Sequence, residues 1–473
     1  MPIKNYPMYA RWFDSAGKIA WPSVVKFLLL AIMLYALYFL KMNGNFPVIL
    51  DQESLKRPAV PAMYAFQKFS IGVSYLFLAT GSVLFASVLI PVRYTKPSDF
   101  FLLFYGLLVL IPFATLYPIR GAISPADFVL YFSVLGLPAL MVYATAFFFY
   151  PIHFPKWIDL RTLIRLMALF CLISMALALR HAPVSASFDY FSVYVRRMEG
   201  RAIYLEGTLP AYLNMMTING FAPFLAFIAA WQYRVRWFVF ALACSAVYFY
   251  LIGIKSSLFY IFLAVALGYA VRVRKIYILS RILTAFLLIV FALALAQYWI
   301  FRDFWISDYF VERTFFVPPY IISGYFDFMR LPPDLLQPAW TLFEGIGEAS
   351  SNIAFLVGKW LFPMATANNA NTNTFIYKLA AGGIPLYAVT VLLVAGFYAL
   401  LNNAYAASRS PLLIYVGVEY GILLTEQSAT TALLSSGMGV IAMLCVFTRF
   451  VPDSSSEYTT GKGENNPPGH SCG

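Results

Sequence analysis

The sequence predicts an all-α polytopic membrane protein with about twelve transmembrane helices and two enlarged loops on the outer face. Three observations carry this. Of the 473 residues, 61% are hydrophobic and only 11% are charged, whereas a soluble domain carries about 25% charged residues. A surface this apolar has to be covered by lipid. Apolar runs also recur at the length, about 20 residues, that crosses a hydrocarbon core of about 30 Å. Finally, Lys and Arg in the short connections fall almost wholly on one side.

The spans read, in order, Pro22–Leu40, Phe69–Pro91, Phe100–Tyr117, Phe128–Tyr150, Thr162–Leu179, Asn214–Tyr233, Trp237–Gly253, Ser256–Val271, Ile282–Ile300, Phe375–Leu401, Pro411–Ser428 and Leu433–Phe450. The first has no small-residue cleavage site after it and reads as a retained signal anchor. Gly382-Gly383 inside the tenth permits close helix packing or a kink. With the N-terminus inside, the inner short loops hold Arg93 and Lys96, Lys156 and Arg161, Arg234 and Arg236, Arg272 through Arg281, and Arg409. The outer short loops hold only Arg120 and Lys255. An even number of helices with both ends cytoplasmic follows. Residues 1–452 then form one integral membrane domain with outer loops 180–213 and 301–373, and the Ser-, Gly-, Asn- and Pro-rich tail 453–473 reads as disordered. Within the longer loop, Phe301–Phe316 and Leu342–Phe362 read as amphipathic helices lying on the bilayer.

The net charge of +12 is spread over many loops rather than gathered on one face, which argues against a nucleic-acid partner. Cys171, Cys244, Cys445 and Cys472 show no disulfide or metal spacing. No Asp-x-Asp pair lies on an outer loop and histidines do not cluster, so no metal ligands and no cofactor are expected.

Chemistry gathers in the two long loops. Arginine forks bind phosphate bidentately and stay charged in poorly hydrated sites. The loops carry Arg196, Arg197 and Arg201 in the first and Arg313 in the second, although an exposed arginine more often pairs with a neighbouring acid. Each loop also contains Arg-x10-Gly: Arg196 with Gly207, and Arg313 with Gly324. Carboxylates suited to general-base work are Glu199, Glu344 and Glu348 in the loops. Glu426 lies inside the eleventh span, where an acid is a functional candidate by default. Tyr320 and its aromatic neighbours can stack on sugar faces, and more often such residues anchor a loop in the interface.

Span number, cytoplasmic ends and the paired Arg-x10-Gly loops resemble the O-antigen polymerase (Wzy) family from about Pro22 to Phe450. The turn Gly253-Ile254-Lys255-Ser256-Ser257 looks like the basic-plus-serine turn of these polymerases, where arginine is commoner. The resemblance implies a GT-C-like polymerase/ligase fold and a metal-independent glycosyltransferase in the bacterial inner membrane, with its active site facing the periplasm. Its substrates would be undecaprenyl-diphosphate-linked oligosaccharides. Arg196, Arg197, Arg201, Lys255 and Arg313 would stabilise the departing diphosphate, with a chain-length regulator (Wzz) as partner. Two alternatives compete. The O-antigen ligases rely on a histidine in the large loop, and 301–373 has none. A lipid-linked oligosaccharide flippase would show related halves and charges inside the spans, and no such symmetry is visible.

Overall fold

The computed structural model describes residues 21–43, 73–91, 94–120, 124–148, 150–189, 192–204, 208–254, 256–273, 277–301, 306–330, 340–346, 352–362 and 369–449. Among these the architecture is almost entirely helical. The helices are α1 (Trp21–Asn43), α2 (Val73–Leu89), α3 (Pro97–Leu116), α4 (Pro125–Ala144), α5 (Leu160–Arg180), α6 (Val193–Ile203), α7 (Leu209–Gln232) and α8 (Val235–Ile252). They continue as α9 (Ser256–Arg272), α10 (Tyr277–Phe301), α11 (Val317–Met329), α12 (Ile353–Leu361), α13 (Thr374–Ser408), α14 (Pro411–Glu426), α15 (Ala429–Leu433) and α16 (Met438–Phe447). Two dipeptide strands, β1 (Ile158–Asp159) and β2 (Thr448–Arg449), pair in parallel. Seven of the described helices are long and apolar enough to cross a membrane. The chain is therefore a multi-pass, all-α membrane protein.

Hydrophobicity all round a helix means burial all round it, by protein or by lipid. In α3 and α14 nearly every residue is buried by protein, so these two form the centre. They run parallel and touch closely: a Cβ on Gly417 would lie 2.6 Å from Pro97, and one on Gly421 3.2 Å from Phe101. Helices α5, α8 and α10 instead leave rows such as Leu169, Leu172, Ile173 and Ile289, Leu293, Ile300 exposed, the lipid-facing rind that their composition requires.

One end of the bundle is basic. Lys96 pairs with Asp99 at 3.5 Å, Lys156 donates to the Val446 carbonyl, and Arg272 lies 4.2 Å over the Tyr233 ring. Backbone termini close there on side-chain amides: Ser98 N–H on Asn402 Oδ1 at 3.1 Å and Tyr150 N–H on Asn403 Oδ1 at 2.9 Å. The opposite, loop-bearing end holds the starts of α4 and α9 and the ends of α8 and α14. Here Arg330 bonds Asp127.

Two features depart from the sequence reading. The first is α13. Phe375 and Tyr398 stand 23 positions apart, about 35 Å along a straight helix. Yet their rings lie 6.5 and 5.2 Å from the same Phe101 ring. The helix must fold back, and it does so at Gly382 (φ −139°, ψ 26°) and Gly383 (φ 64°, ψ −163°). Thr374–Ala381 is thus a half-helix that starts inside the bundle, rises to the glycines, and is followed by the long segment from Pro385 to Ser408. That segment alone, at about 36 Å, is long enough for a crossing. Backbone groups freed at the break are taken up by the segment 340–346: Ile384 N–H bonds the Leu342 carbonyl at 2.7 Å, Ile346 N–H the Ala380 carbonyl at 3.0 Å, and Trp340 Nε1 the Leu379 carbonyl at 3.3 Å. Broken helix at membrane depth is tolerated where protein satisfies it in this way.

The second is the loop 301–373. Among its described residues, a buried helix lies between the two amphipathic segments expected on the bilayer. A ten-residue π-helical stretch, Ser307–Phe316, runs directly into α11. Helix α11 packs into the bundle with Phe326 stacked 4.0 Å on Tyr131 and Tyr325 donating to the Ala370 carbonyl at 2.9 Å. Among the described residues of Leu342–Phe362, helix runs from Ile353 to Leu361.

Candidate functional site

Two polar centres lie at the loop-bearing end. The first surrounds Arg196 on α6. Helix α6 rests on α8 because Gly200 has no side chain: a Cβ there would meet Ile252 at 2.5 Å. This contact carries the Arg196 side chain inward until it is fully buried, 0% exposed. Its Nη1 donates to Ser187 Oγ at 2.5 Å and to Ser192 Oγ at 3.1 Å, and the guanidinium sits 5.2 Å over the Phe249 ring. No carboxylate pairs with it among the described residues, and its Nε and Nη2 are buried without a hydrogen-bond partner. A buried, unpaired cation costs several kcal/mol. A guanidinium held by two hydroxyls and a ring face, with two donors open, is poised for an anion.

The rest of the predicted cationic set is distributed unevenly. Arg197 is exposed on α6 and Arg313 is exposed in the π-helical stretch. The Arg201 side chain, Lys255, Gly207 and Glu348 lie outside the described residues. Gly324 is buried in α11 for a packing reason, since a Cβ would press to 2.7 Å on Leu361. Tyr320 is half-buried with its ring 6.3 Å from Phe362.

The predicted carboxylates separate clearly. Glu199 accepts from the Ser185 hydroxyl at 2.5 Å and from the Ser185 N–H at 3.1 Å, and these bonds hold its carboxyl below the usual glutamate range. Its lone pairs serve the loop. Glu344 is exposed at the tip of the segment that caps the α13 break. Glu426 differs. It ends α14 with its side chain exposed. Tyr260 of α9, itself 3% exposed, donates to its Oε2 at 3.3 Å.

This second centre is where two interrupted helices meet. Helix α14 stops at Gln427, and Ala429 N–H just beyond it bonds the Thr374 hydroxyl at 2.7 Å, at the start of the α13 half-helix. Gln427 and Asn219 both bond Ser436 Oγ, at 3.0 and 3.1 Å. Asn219 belongs to a π-helical turn, Thr217–Phe221, whose Gly220 carbonyl accepts from Tyr415 at 3.0 Å. Glu419 stands two turns before Glu426 on the same face of α14, 1% exposed, with Oε1 unpartnered.

Sequence reasoning singled out Arg196 and Glu426 and missed Glu419, Tyr260, Ser187 and Ser192. The rule that flags an acid within an apolar span applies equally to Glu419. Nothing in the sequence marks the serines or the tyrosine. No protein-family model, no curated protein and no solved structure matches the chain.

Proposed function

We propose that the chain polymerises undecaprenyl-diphosphate-linked oligosaccharide repeat units into a surface polysaccharide, at the periplasmic face of a bacterial inner membrane. The observation that carries this reading is the buried Arg196 with its two open donors, placed on the first Arg-x10-Gly. In this reading the Arg196 fork binds the diphosphate and stabilises the charge that grows as it leaves. A hydroxyl of the acceptor sugar attacks the anomeric carbon of the donor. The bond from that carbon to the diphosphate oxygen breaks with its electron pair, and Glu426 takes the hydroxyl proton. Glu426 is preferred over Glu199, whose carboxylate is engaged by Ser185, and over Glu344, which is exposed on the capping segment.

A second reading, a lipid-linked oligosaccharide flippase, is favoured by the discontinuous α13 and by acids within the bundle, both common in transporters. One experiment separates them. The host gene is deleted and surface lipopolysaccharide is run on a gel after complementation with wild type, Arg196→Ala or Arg196→Lys. A ladder collapsed to core plus one repeat unit, restored by wild type but by neither variant, supports the polymerase. Failure of Arg196→Lys is expected because ammonium keeps the charge but not the fork. Loss of all repeat units from the core, with single units trapped on the cytoplasmic leaflet, supports the flippase.

A further inference from the structure

The groups around Glu426, where the start of the α13 half-helix meets the end of α14, offer hydrogen-bond valences of both kinds, and this defines a site by the chemistry it fits. We propose that it seats a neutral, hydroxyl-rich group, the terminal sugar of the acceptor, while the Arg196 centre takes the diphosphate. The inference rests on the reading above for the identity of that sugar's carrier.

Open acceptors there are the Glu426 carboxylate, which among the described residues Tyr260 alone engages, and Glu419 Oε1 two turns before it. Open donors come from the other side. Asn373 is 1% exposed, and its Oδ1 caps the half-helix by accepting from Phe375 and Ile376 N–H at 3.1 Å each. This turns its Nδ2 away from the helix, and Nδ2 has no partner. The Thr372 hydroxyl, 6% exposed, can donate or accept and is also unpartnered. Native proteins leave few buried polar atoms unpaired, and each calls for an explanation. Thr372, Asn373 and Glu426 lie within three residues of the Thr374–Ala429 contact, and Glu419 is two turns back on α14, which gives a common one.

A phosphate satisfies only the donors. A metal ion satisfies only the acceptors. Among the described residues no Lys or Arg pairs with Glu419 or Glu426. Sugar hydroxyls donate and accept at once, so they satisfy both kinds of open group. The same placement puts an acceptor hydroxyl against Glu426, where its proton is to be taken.

The test uses purified full-length protein in detergent. Glu426 is modified with a water-soluble carbodiimide and glycine ethyl ester, and modification is followed by mass spectrometry. Two probes compete: lipid-linked repeat units extracted from the deletion strain, and undecaprenyl diphosphate alone. At ten times the dissociation constant, repeat units are expected to slow modification about tenfold by mass action, and undecaprenyl diphosphate to leave it unchanged. Protection by undecaprenyl diphosphate alone, or by neither, overturns the proposal. In the complemented strain Glu426→Gln is expected to cut polymer synthesis about a hundredfold or more, the usual range for loss of a general base. Thr372→Val, which keeps the shape and removes the hydroxyl, should raise the repeat-unit concentration needed for protection without altering membrane expression. If wild type restores the ladder and Glu426→Gln and Thr372→Val restore it equally, the sugar site falls and the polymerase stands. If wild type itself restores no ladder, the polymerase reading falls with it.

Discussion

Replacing Gly383 by alanine tests the folded-back α13 directly, because the two possible geometries give opposite signs. In a continuous helix, glycine costs about 1 kcal/mol relative to alanine, so the change would stabilise. In the folded-back helix, Gly383 has φ 64° and ψ −163°, a region nearly closed to other residues and costing about 1–3 kcal/mol. A Cβ there would also stand 2.5 Å from the Leu342 carbonyl oxygen and 2.9 Å from the Phe343 carbonyl carbon. These are backbone atoms, so segment 340–346 must move and the 2.7 Å bond from Ile384 N–H to Leu342 is weakened, for about 1 kcal/mol more. The expected destabilisation is about 3 kcal/mol. Gly396 is the internal control. It lies in the straight part of α13 with nothing within 4 Å of its would-be Cβ, so Gly396→Ala should stabilise by about 0.5–1 kcal/mol. Both variants are unfolded in dodecyl maltoside by graded addition of SDS. Equal stability of the two would refute the fold-back at Gly382-Gly383.

Other outcomes follow from the same packing. Phe375 is fully buried between Phe101 and the Tyr105 ring, 5.6 Å away, so Phe375→Ala should cost about 3–5 kcal/mol in the same titration. Gly268→Val should cost about 1–3 kcal/mol or more by overpacking, since a Cβ there would meet the Phe227 carbonyl at 2.4 Å and Ala230 Cβ at 2.9 Å. Asp127→Asn should lower stability only slightly, because the Arg330 side chain it meets is 50% exposed, and high salt should erase the difference. Glu199 is held low by the Ser185 hydroxyl and N–H. Its contribution is therefore present above the ordinary glutamate range and is lost as pH falls through the depressed folded value. Ser185→Ala should raise that value, so hydrogen exchange in the 185–199 segment should accelerate at a higher pH than in wild type.

The sequence by itself determined that this chain lives in a membrane as a bundle of apolar helices. The physical reason is that lipid imposes a one-dimensional demand, an apolar run long enough to cross, and such runs are readable along the chain. It also marked Arg196 by a repeated spacing and Glu426 by an acid out of place, since the cost of burying a charge does not depend on knowing the neighbours. Glu419 was open to the same rule. Only the tertiary structure decided what those groups face. The folding back of α13 rests on contacts from Thr374 to Ala429 and from Phe375 to Phe101, groups distant along the chain. Gly382-Gly383 permits a bend without specifying its direction. The insertion of α11 between other helices likewise turned part of a loop into core, because Phe326 and Tyr325 find partners at Tyr131 and Ala370. Ser187 and Ser192 are ordinary serines in the sequence and hold a buried guanidinium only because α6 docks on α8 at Gly200. Composition and span length are local properties, whereas the pairing of donors with acceptors across the bundle exists only once the chain has packed.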